Sequence, residues 1–359
     1  MGTIDIFEPR TMLSMVSENE FRAKTFLRDR YFGHTETFQT ESVDVDVVGR
    51  GKRKVAPFVS RRSGGSQDFR DGYTTNTFKP AYVAPFRVTT AEDALKRSAG
   101  EAIYSSKSPN QRAAEILAKD LYDLDKEITR REELMCAQAL TTGKIIVKEQ
   151  GSAESEARQL DFWHGLSTKP YVDLSVTSPW NVTNADPMAD LRKIVRDITK
   201  LSGLTPVEVI AGSKAVDALI NALKGDTTAF NSRRIDLGQI NPSSFADGVG
   251  FIGTLRLPQL DIYTYDEWYY DDDSHKDVPL IPEDSILIAC RDVRTTRAYG
   301  VVDIINVQQN AHQWLEGDRV PNSWLQATGE NAGRIVQIKS APLMVVHEPL
   351  GFWVVKVVS

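Results

Sequence analysis

The sequence predicts an α+β protein in which a long two-stranded excursion and one very long helix precede a mixed α/β domain, and a β-rich segment follows it. Three observations carry that prediction. Between Pro109 and Gly143 neither Pro nor Gly interrupts a helical pattern; from about residue 185 to 300 helix-like and strand-like runs alternate; and residues 335–358 hold three short, strongly β-forming runs. The composition suits such a chain, since 359 residues with 41% hydrophobic and 26% charged content can bury the cores of two domains. Gly and Pro, 23 and 16 residues, stand near average usage and exclude a collagen-like or broadly low-complexity protein.

Residues 1–30 scatter Met12, Leu13, Met15, Val16, Phe21, Phe26 and Leu27 among charges without a sustained period. This is the pattern of an arm with a short helical piece, which needs a surface to lie on. Over 36–48, Val43, Val45 and Val47 alternate with Asp44 and Asp46, a strand pattern. Residues 55–59 and 77–88 are strand-like too, and Arg61-Arg62-Ser63-Gly64-Gly65-Ser66 between them reads as a flexible tip with no core of its own. A lone hairpin is marginal in water, so the excursion is expected to rest on something else.

Ser108 followed by Pro109 supplies an N-cap and a first helical residue. Leu117, Leu121, Leu124, Ile128, Met135 and Leu140 then share one face, with Lys119, Asp123, Lys126, Glu127, Arg130 and Glu133 off it. At 1.5 Å per residue the helix is about 50 Å long, a spine rather than a filler. The adjacent carboxylates Glu132 and Glu133 read as ordinary helix surface. Residues 145–147 and 171–176 are strand-like. Asn184 caps a helix with Met188, Leu191, Ile194, Val195, Ile198 and Leu201 on one face, ending at Gly203. A strand at 206–211, a helix at 215–223, a glycine-rich loop at 242–253 and strands at 251–255, 261–270 and 285–290 complete the mixed domain.

The net charge of −6 argues against a chain whose main task is gripping nucleic acid. It is unevenly spread: residues 1–110 carry seventeen Lys and Arg against fourteen Asp and Glu, so the rest is strongly acidic. Arg50, Lys52, Arg53, Lys54, Arg61, Arg62 and Arg70 crowd the excursion, and Asp266, Glu267, Asp271, Asp272, Asp273, Asp277 and Glu283 crowd a later loop. Opposite patches of this kind either stand as two solvated loops or guide copies of one chain together head to tail. Trp268, Tyr269 and Tyr270, at the end of a strand bearing Tyr263 and Tyr265, suit either a core or a contact.

Chemistry is harder to find. Cys136 and Cys290 are too few for a disulfide framework or a cysteine-rich zinc site, and the five histidines have no zinc-like spacing. Gly212-Ser213-Lys214 lacks the upstream glycine of a phosphate loop, and no Gly-x-Ser-x-Gly elbow occurs. His275 among Asp271, Asp272, Asp273 and Asp277 is the best metal-like cluster and supports the one enzymatic alternative, a metal-dependent α/β enzyme; it lacks calcium-loop spacing. No apolar run is long enough to span a membrane, and residues 1–10 lack signal-peptide order.

In this order, Phe26-Leu27-Arg28 with Tyr31-Phe32, Arg62-Ser63-Gly64-Gly65-Ser66 with Phe69 and Gly72-Tyr73, the helix at 108–140, Thr296-Arg297-Ala298-Tyr299-Gly300 and Ile338-Lys339-Ser340-Ala341-Pro342-Leu343-Met344 make the chain resemble the major capsid proteins of lambda-like tailed bacteriophages. The resemblance implies the Hong Kong 97-type capsid fold: an N-terminal arm (1–39), an extended loop (40–90), a peripheral domain with the spine helix (91–182), an axial domain (183–300) and a return to the peripheral domain (301–359). It implies a structural, non-enzymatic protein without cofactor. Hexamers and pentamers of the chain would form an icosahedral head in the host cytoplasm, with scaffold protein, portal and in some relatives a decoration protein. The shell would enclose double-stranded DNA without sequence-specific binding and expand from a procapsid. An encapsulin-like shell shares the fold and is the nearer alternative. The expected intersubunit contacts are Arg53, Lys54, Arg61, Arg62, Gly64 and Gly65 in the extended loop and Trp268 and Tyr269 in the axial domain. Some relatives join a lysine to an asparagine between subunits; Lys52 and Lys54 lie in the right loop, but no partner is identifiable and no crosslink is expected.

Overall fold

A computed structural model describes residues 25–40, 42–48, 55–60, 73–96, 107–149, 157–162, 176, 178–182, 185–225, 244–246, 248–256, 258–271, 274–306, 311–326 and 333–359. Its helices in chain order are α1 (Leu27–Tyr31), α2 (Ala91–Leu95), α3 (Pro109–Thr141), α4 (Pro187–Ser202) and α5 (Ser213–Gly225). Helix α3 is the predicted spine, 33 residues long. A capping box starts it where the sequence places the cap: Ser108 Oγ accepts from the Gln111 N–H, and Gln111 Oε1 accepts from the Ser108 N–H.

The chain divides into two compact units, and the division falls inside α3 between Cys136 and Ala137. The first unit takes residues 1–43, 79–136 and 296–344. Here Leu117, Leu121, Leu124 and Ile128 of α3 pack on Val336 and Ile338. Those two residues belong to the central strand, Gly333–Lys339, of a three-stranded sheet with Val320–Gln326 and Phe86–Thr89. Thr35–Thr37 runs parallel to Thr295–Tyr299, which also pairs with Pro342–Val346. A hairpin of Val302–Asn306 and Ala311–Leu315 tucks Val302 and Ile304 against Val320 and Ala341.

The second unit takes residues 44–78, 137–295 and 345–359. Its six-stranded mixed sheet has the order Phe352–Lys356, Ser285–Cys290, Pro206–Ala211, Gln259–Tyr265, Val249–Arg256, Ser244–Ala246. Only the central pair, Pro206–Ala211 with Gln259–Tyr265, is parallel. Alternation along each strand directs Val209 and Ala211, Leu260 and Ile262, Ile286 and Ile288, Trp353 and Val355 into one core with Leu191 and Ile198 of α4 and Ala215, Val216 and Leu219 of α5. Both helices therefore cover the same face. Gly203 ends α4 at φ 78, a left-handed position that suits glycine. Gly212 lets Pro206–Ala211 pass close to a neighbouring turn, where a Cβ would stand 2.5 Å from the Pro282 carbonyl oxygen.

Several expectations need correction. Residues 55–60 form no strand and lie exposed; the ladder of the excursion joins Val43–Val48 to Tyr73–Phe78. The run at 77–88 is broken between Phe78 and Phe86, where Pro80 and Pro85 lack the N–H a ladder needs. The cap of α4 is Asp186, whose Oδ1 accepts from the Ala189 N–H at 2.9 Å, rather than Asn184, which lies outside the described residues. The loop at 242–253 is mostly strand, Ser244–Ala246 and Val249–Arg256 turning at Gly248 with φ 76. Val302–Asn306, Ala311–Leu315 and Val320–Gln326 are strands that the sequence reading passed over. Phe352–Lys356 pairs with Ser285–Cys290 in the six-stranded sheet, not with the strands beside α3.

Candidate functional site

The most elaborate polar structure of the first unit is built on the two carboxylates that read as helix surface. Glu132 is fully buried and Glu133 nearly so. On α3, Asp125, Thr129, Glu132 and Cys136 follow one another at spacings of four, three and four, so they line one stripe of the helix. Arg319 lies along that stripe and spends every N–H on it or beside it. Its Nε donates to Asp125 Oδ1 (2.6 Å), Nη1 to Glu132 Oε1 (2.7 Å) and to the Asp318 carbonyl (2.9 Å), and Nη2 to Glu132 Oε2 (3.1 Å) and Thr129 Oγ1 (3.2 Å). A guanidinium has five such donors, and five acceptors meet them. Glu132 is equally full: besides the Arg319 fork it accepts from Tyr299 Oη (3.0 Å) and Arg28 Nη1 (2.9 Å).

One residue on, Glu133 accepts from three successive backbone N–H groups, Phe26 (3.1 Å), Leu27 (2.8 Å) and Arg28 (3.0 Å). A carboxylate therefore caps the short helix α1 from across 105 residues of sequence. This segment is fastened at Phe26–Arg28 through its backbone by Glu133 and through the buried guanidinium of Arg28 by Glu132. Burial opposes the charge on Glu132, yet the Arg319 and Arg28 guanidiniums beside it outweigh burial and hold its carboxyl below the ordinary range. Burial, then the Glu132 charge, pushes the Tyr299 phenol well up, and burial with Glu133 and Glu132 does the same to the Cys136 thiol. A carboxylate kept ionised with four filled acceptor positions has neither a proton to give nor room for a ligand. This is a clamp, and its energetics depend on completeness, because a buried charge that loses one partner is left uncompensated.

Among the expected contact residues, Arg53, Lys54, Arg61, Arg62, Gly64 and Gly65 lie outside the described residues. Trp268 and Tyr269 begin a hairpin, Trp268–Asp271 paired with Lys276–Pro279. Opposite residues of an antiparallel pair share a face, so Trp268, Tyr270, Asp277 and Pro279 lie on one side and Tyr269, Val278, Asp271 and Lys276 on the other. Trp268 is 47% and Tyr270 58% exposed, while Tyr269 is half-buried; of the three aromatic residues at this strand end, the open pair is thus Trp268 with Tyr270 rather than the expected Trp268 with Tyr269. His275 turns the hairpin at φ 51, with Nδ1 3.5 Å from Tyr270 Oη, and Asp271 accepts from the Ser274 N–H. Asp272 and Asp273 lie outside the described residues, among which no group of His, Cys, Asp or Glu is placed to hold a metal. Nearby, burial and then repulsion from Asp217 and Glu283 raise the Asp266 carboxyl above its ordinary range, although Lys214 pairs with Glu283.

The signal for the clamp was in the spacing. Glu132 stands four residues after Ile128 and eight after Leu124, squarely on the apolar face, and a carboxylate there must be paired. Nothing in the sequence points to Arg319, 187 residues away, as its partner.

The profile of the phage major capsid protein E family matches residues 8–357. The chain is 24% identical over 357 residues to the major capsid protein of Enterobacteria phage P21, covering 98% of this chain and 99% of that protein. It is 21% identical over 345 residues to the major capsid protein of Escherichia phage lambda, covering 94% and 95%. The crystal structure of a prophage capsid protein from Escherichia coli CFT073 superposes with a TM-score of 0.66 at 19% identity, over 97% of this chain and 98% of that one.

Proposed function

The chain belongs to the phage major capsid protein E family, and from that premise we propose how its parts serve the shell. It is a major capsid protein with the Hong Kong 97-type fold, a structural component of the virion that assembles into multimeric shells and is not an enzyme. The alternative of a metal-dependent enzyme acting through the acids near His275 is set aside.

Beyond this, the shell is an icosahedral head of hexamers and pentamers around double-stranded DNA, built first as a procapsid with scaffold protein and portal and later expanded. The domain scheme is an arm (1–39), an extended loop (40–90), a peripheral domain (91–182, with the first part of the 301–359 return) and an axial domain (183–300), whose sheet also takes in the strand Phe352–Lys356. The arm and loop cross onto neighbouring subunits, and Arg53, Lys54, Arg61, Arg62, Gly64, Gly65, Trp268 and Tyr269 take part in those contacts. An acidic container lets packaged DNA slide, because few cations bind its phosphates. The observation that carries the reading is the family match over residues 8–357. Heterologous contacts that close by rotation yield rings, as capsomers require. Electron microscopy of the expressed chain, with and without its scaffold, is expected to show shells or capsomers. Monodisperse monomers under both conditions would refute it.

A further inference from the structure

Helix α4 carries an exposed basic face that the described residues leave without an ion pair. Arg192, Lys193, Arg196 and Lys200 are all exposed, and none has an ion pair or hydrogen bond among the described residues. Arg192, Arg196 and Lys200 follow at i, i+4 and i+8, so each stands directly over a like charge, an arrangement that destabilises an isolated helix. The apolar side of the same helix is buried in the core, so this face is held rigidly outward. The chain as a whole is acidic, whereas the stretch from Arg192 to Lys200, about 12 Å of helix, sets four exposed cations against the single exposed carboxylate of Asp197, an exception rather than a background.

The same unit holds a surface of the opposite character. Trp268, Tyr270 and Asp277 share the open face of the hairpin, and Asp266 at its base lies near Asp217 and near Glu283, which Lys214 pairs. Aromatic rings beside a carboxylate form the surroundings a guanidinium fits best, through stacking, cation–π attraction and an ion pair. The spacings agree. Arg192 and Arg196 are about 6 Å apart along the helix, and Trp268 and Tyr270 about 6.7 Å apart along the strand.

Resting on the shell-forming reading above, we infer that the basic face of α4 in one copy of this chain docks on the Trp268, Tyr270 and Asp277 face of the hairpin in the next copy. The two patches differ, so the contact is heterologous and repeats from subunit to subunit around a ring. It assigns the acidic hairpin a partner inside the same unit of a neighbouring copy, instead of the basic tip at Arg61 and Arg62.

The test uses the full chain under the conditions in which the unaltered protein assembles. Arg192→Glu/Arg196→Glu is expected to lower the fraction recovered in shells at least about tenfold, because it sets like charges against each other across the contact. Melting of the dissociated subunit is expected not to fall, since both side chains are exposed and unpaired and the reversal turns the like-charged neighbours at 196 and 200 into an opposite-charged pair. Arg196→Cys/Tyr270→Cys is expected to give a ladder of oxidised oligomers that neither single substitution gives; the native Cys136 and Cys290 are buried and do not compete. Wild-type yields of shells from the charge reversal overturn the inference. So do shells of the cysteine pair that oxidise without a ladder, and so do normal shells of the reversal that retain less DNA, which would assign the face to nucleic-acid phosphate. If the reversal unfolds the subunit, the cysteine pair decides. Absence of shells from the unaltered chain is a separate result, which refutes the assembly reading before either variant is compared.

Discussion

Replacing Glu132 by Gln tests the clamp most directly. The change keeps shape and volume but removes the charge facing Arg319 and Arg28, and it turns one acceptor oxygen into an amide NH2 that points donors at guanidinium donors. Breaking a buried, hydrogen-bonded ion pair from one side costs about 3–5 kcal/mol. For a unit of this size that corresponds to a fall in melting temperature of roughly 6–20 °C. Thermal and urea unfolding of dissociated subunits at neutral pH measure it. The pH dependence gives a second reading. Because the folded-state carboxyl of Glu132 is held below its ordinary value near 4.3, its contribution is complete above that value and is lost as pH falls through the lower, folded-state one. Wild type is therefore expected to lose stability more steeply than Glu132→Gln below about pH 4. A variant within about 1 kcal/mol of wild type at neutral pH, with an identical acid slope, would refute the claim that the charge holds the clamp.

Tyr299→Phe removes one donor to Glu132 and is expected to cost about 1.5 kcal/mol by urea unfolding. Its phenol titrates above the ordinary value in the fold, so the wild type is expected to lose stability as pH rises beyond about 10, a loss that titration of the Phe variant would show diminished. Gly212→Ala drives a methyl group against the backbone of Pro282 and Glu283 and is expected to cost about 2–3 kcal/mol, read as a lowered denaturation midpoint. Arg61→Glu/Arg62→Glu is expected to reduce shell yield in sedimentation while leaving subunit melting unchanged; equal shell yields would remove the tip from the contact.

Periodicity made the regular elements legible. The start of α3 at Ser108, the stop of α4 at Gly203 and the apolar stripes of both helices follow from cap residues and spacing, which are local properties. The strands at 302–306, 311–315 and 320–326 escaped because Asp303, Asn306, His312, Gln313, Asn322 and Ser323 break up their alternation; pairing with distant segments, not local pattern, makes them strands. The site was read least well. Glu132 and Glu133 look like any carboxylate pair until the helix face is counted, and Arg28, Tyr299 and Arg319 reach them only through tertiary structure. Charge counting found the basic tip by its density but overlooked α4, whose four cations are interspersed with apolar residues and become a face only once the helix is wound.

The clamp also orders events in time. Arg319 must meet Asp125 and Glu132, 194 and 187 residues earlier in the chain, and the edge strand Phe352–Lys356 must reach Ser285–Cys290. Contacts of such separation form late in folding. A nascent chain halted before residue 319 holds Glu132 with two of its four hydrogen bonds missing, so the clamp at Arg28 is incomplete until the ribosome has passed that point. Translation thereby acts as a timer: a fragment reaching only the end of α5 carries the basic face of α4 without the hairpin it would join, and it cannot propagate the ring contact inferred above.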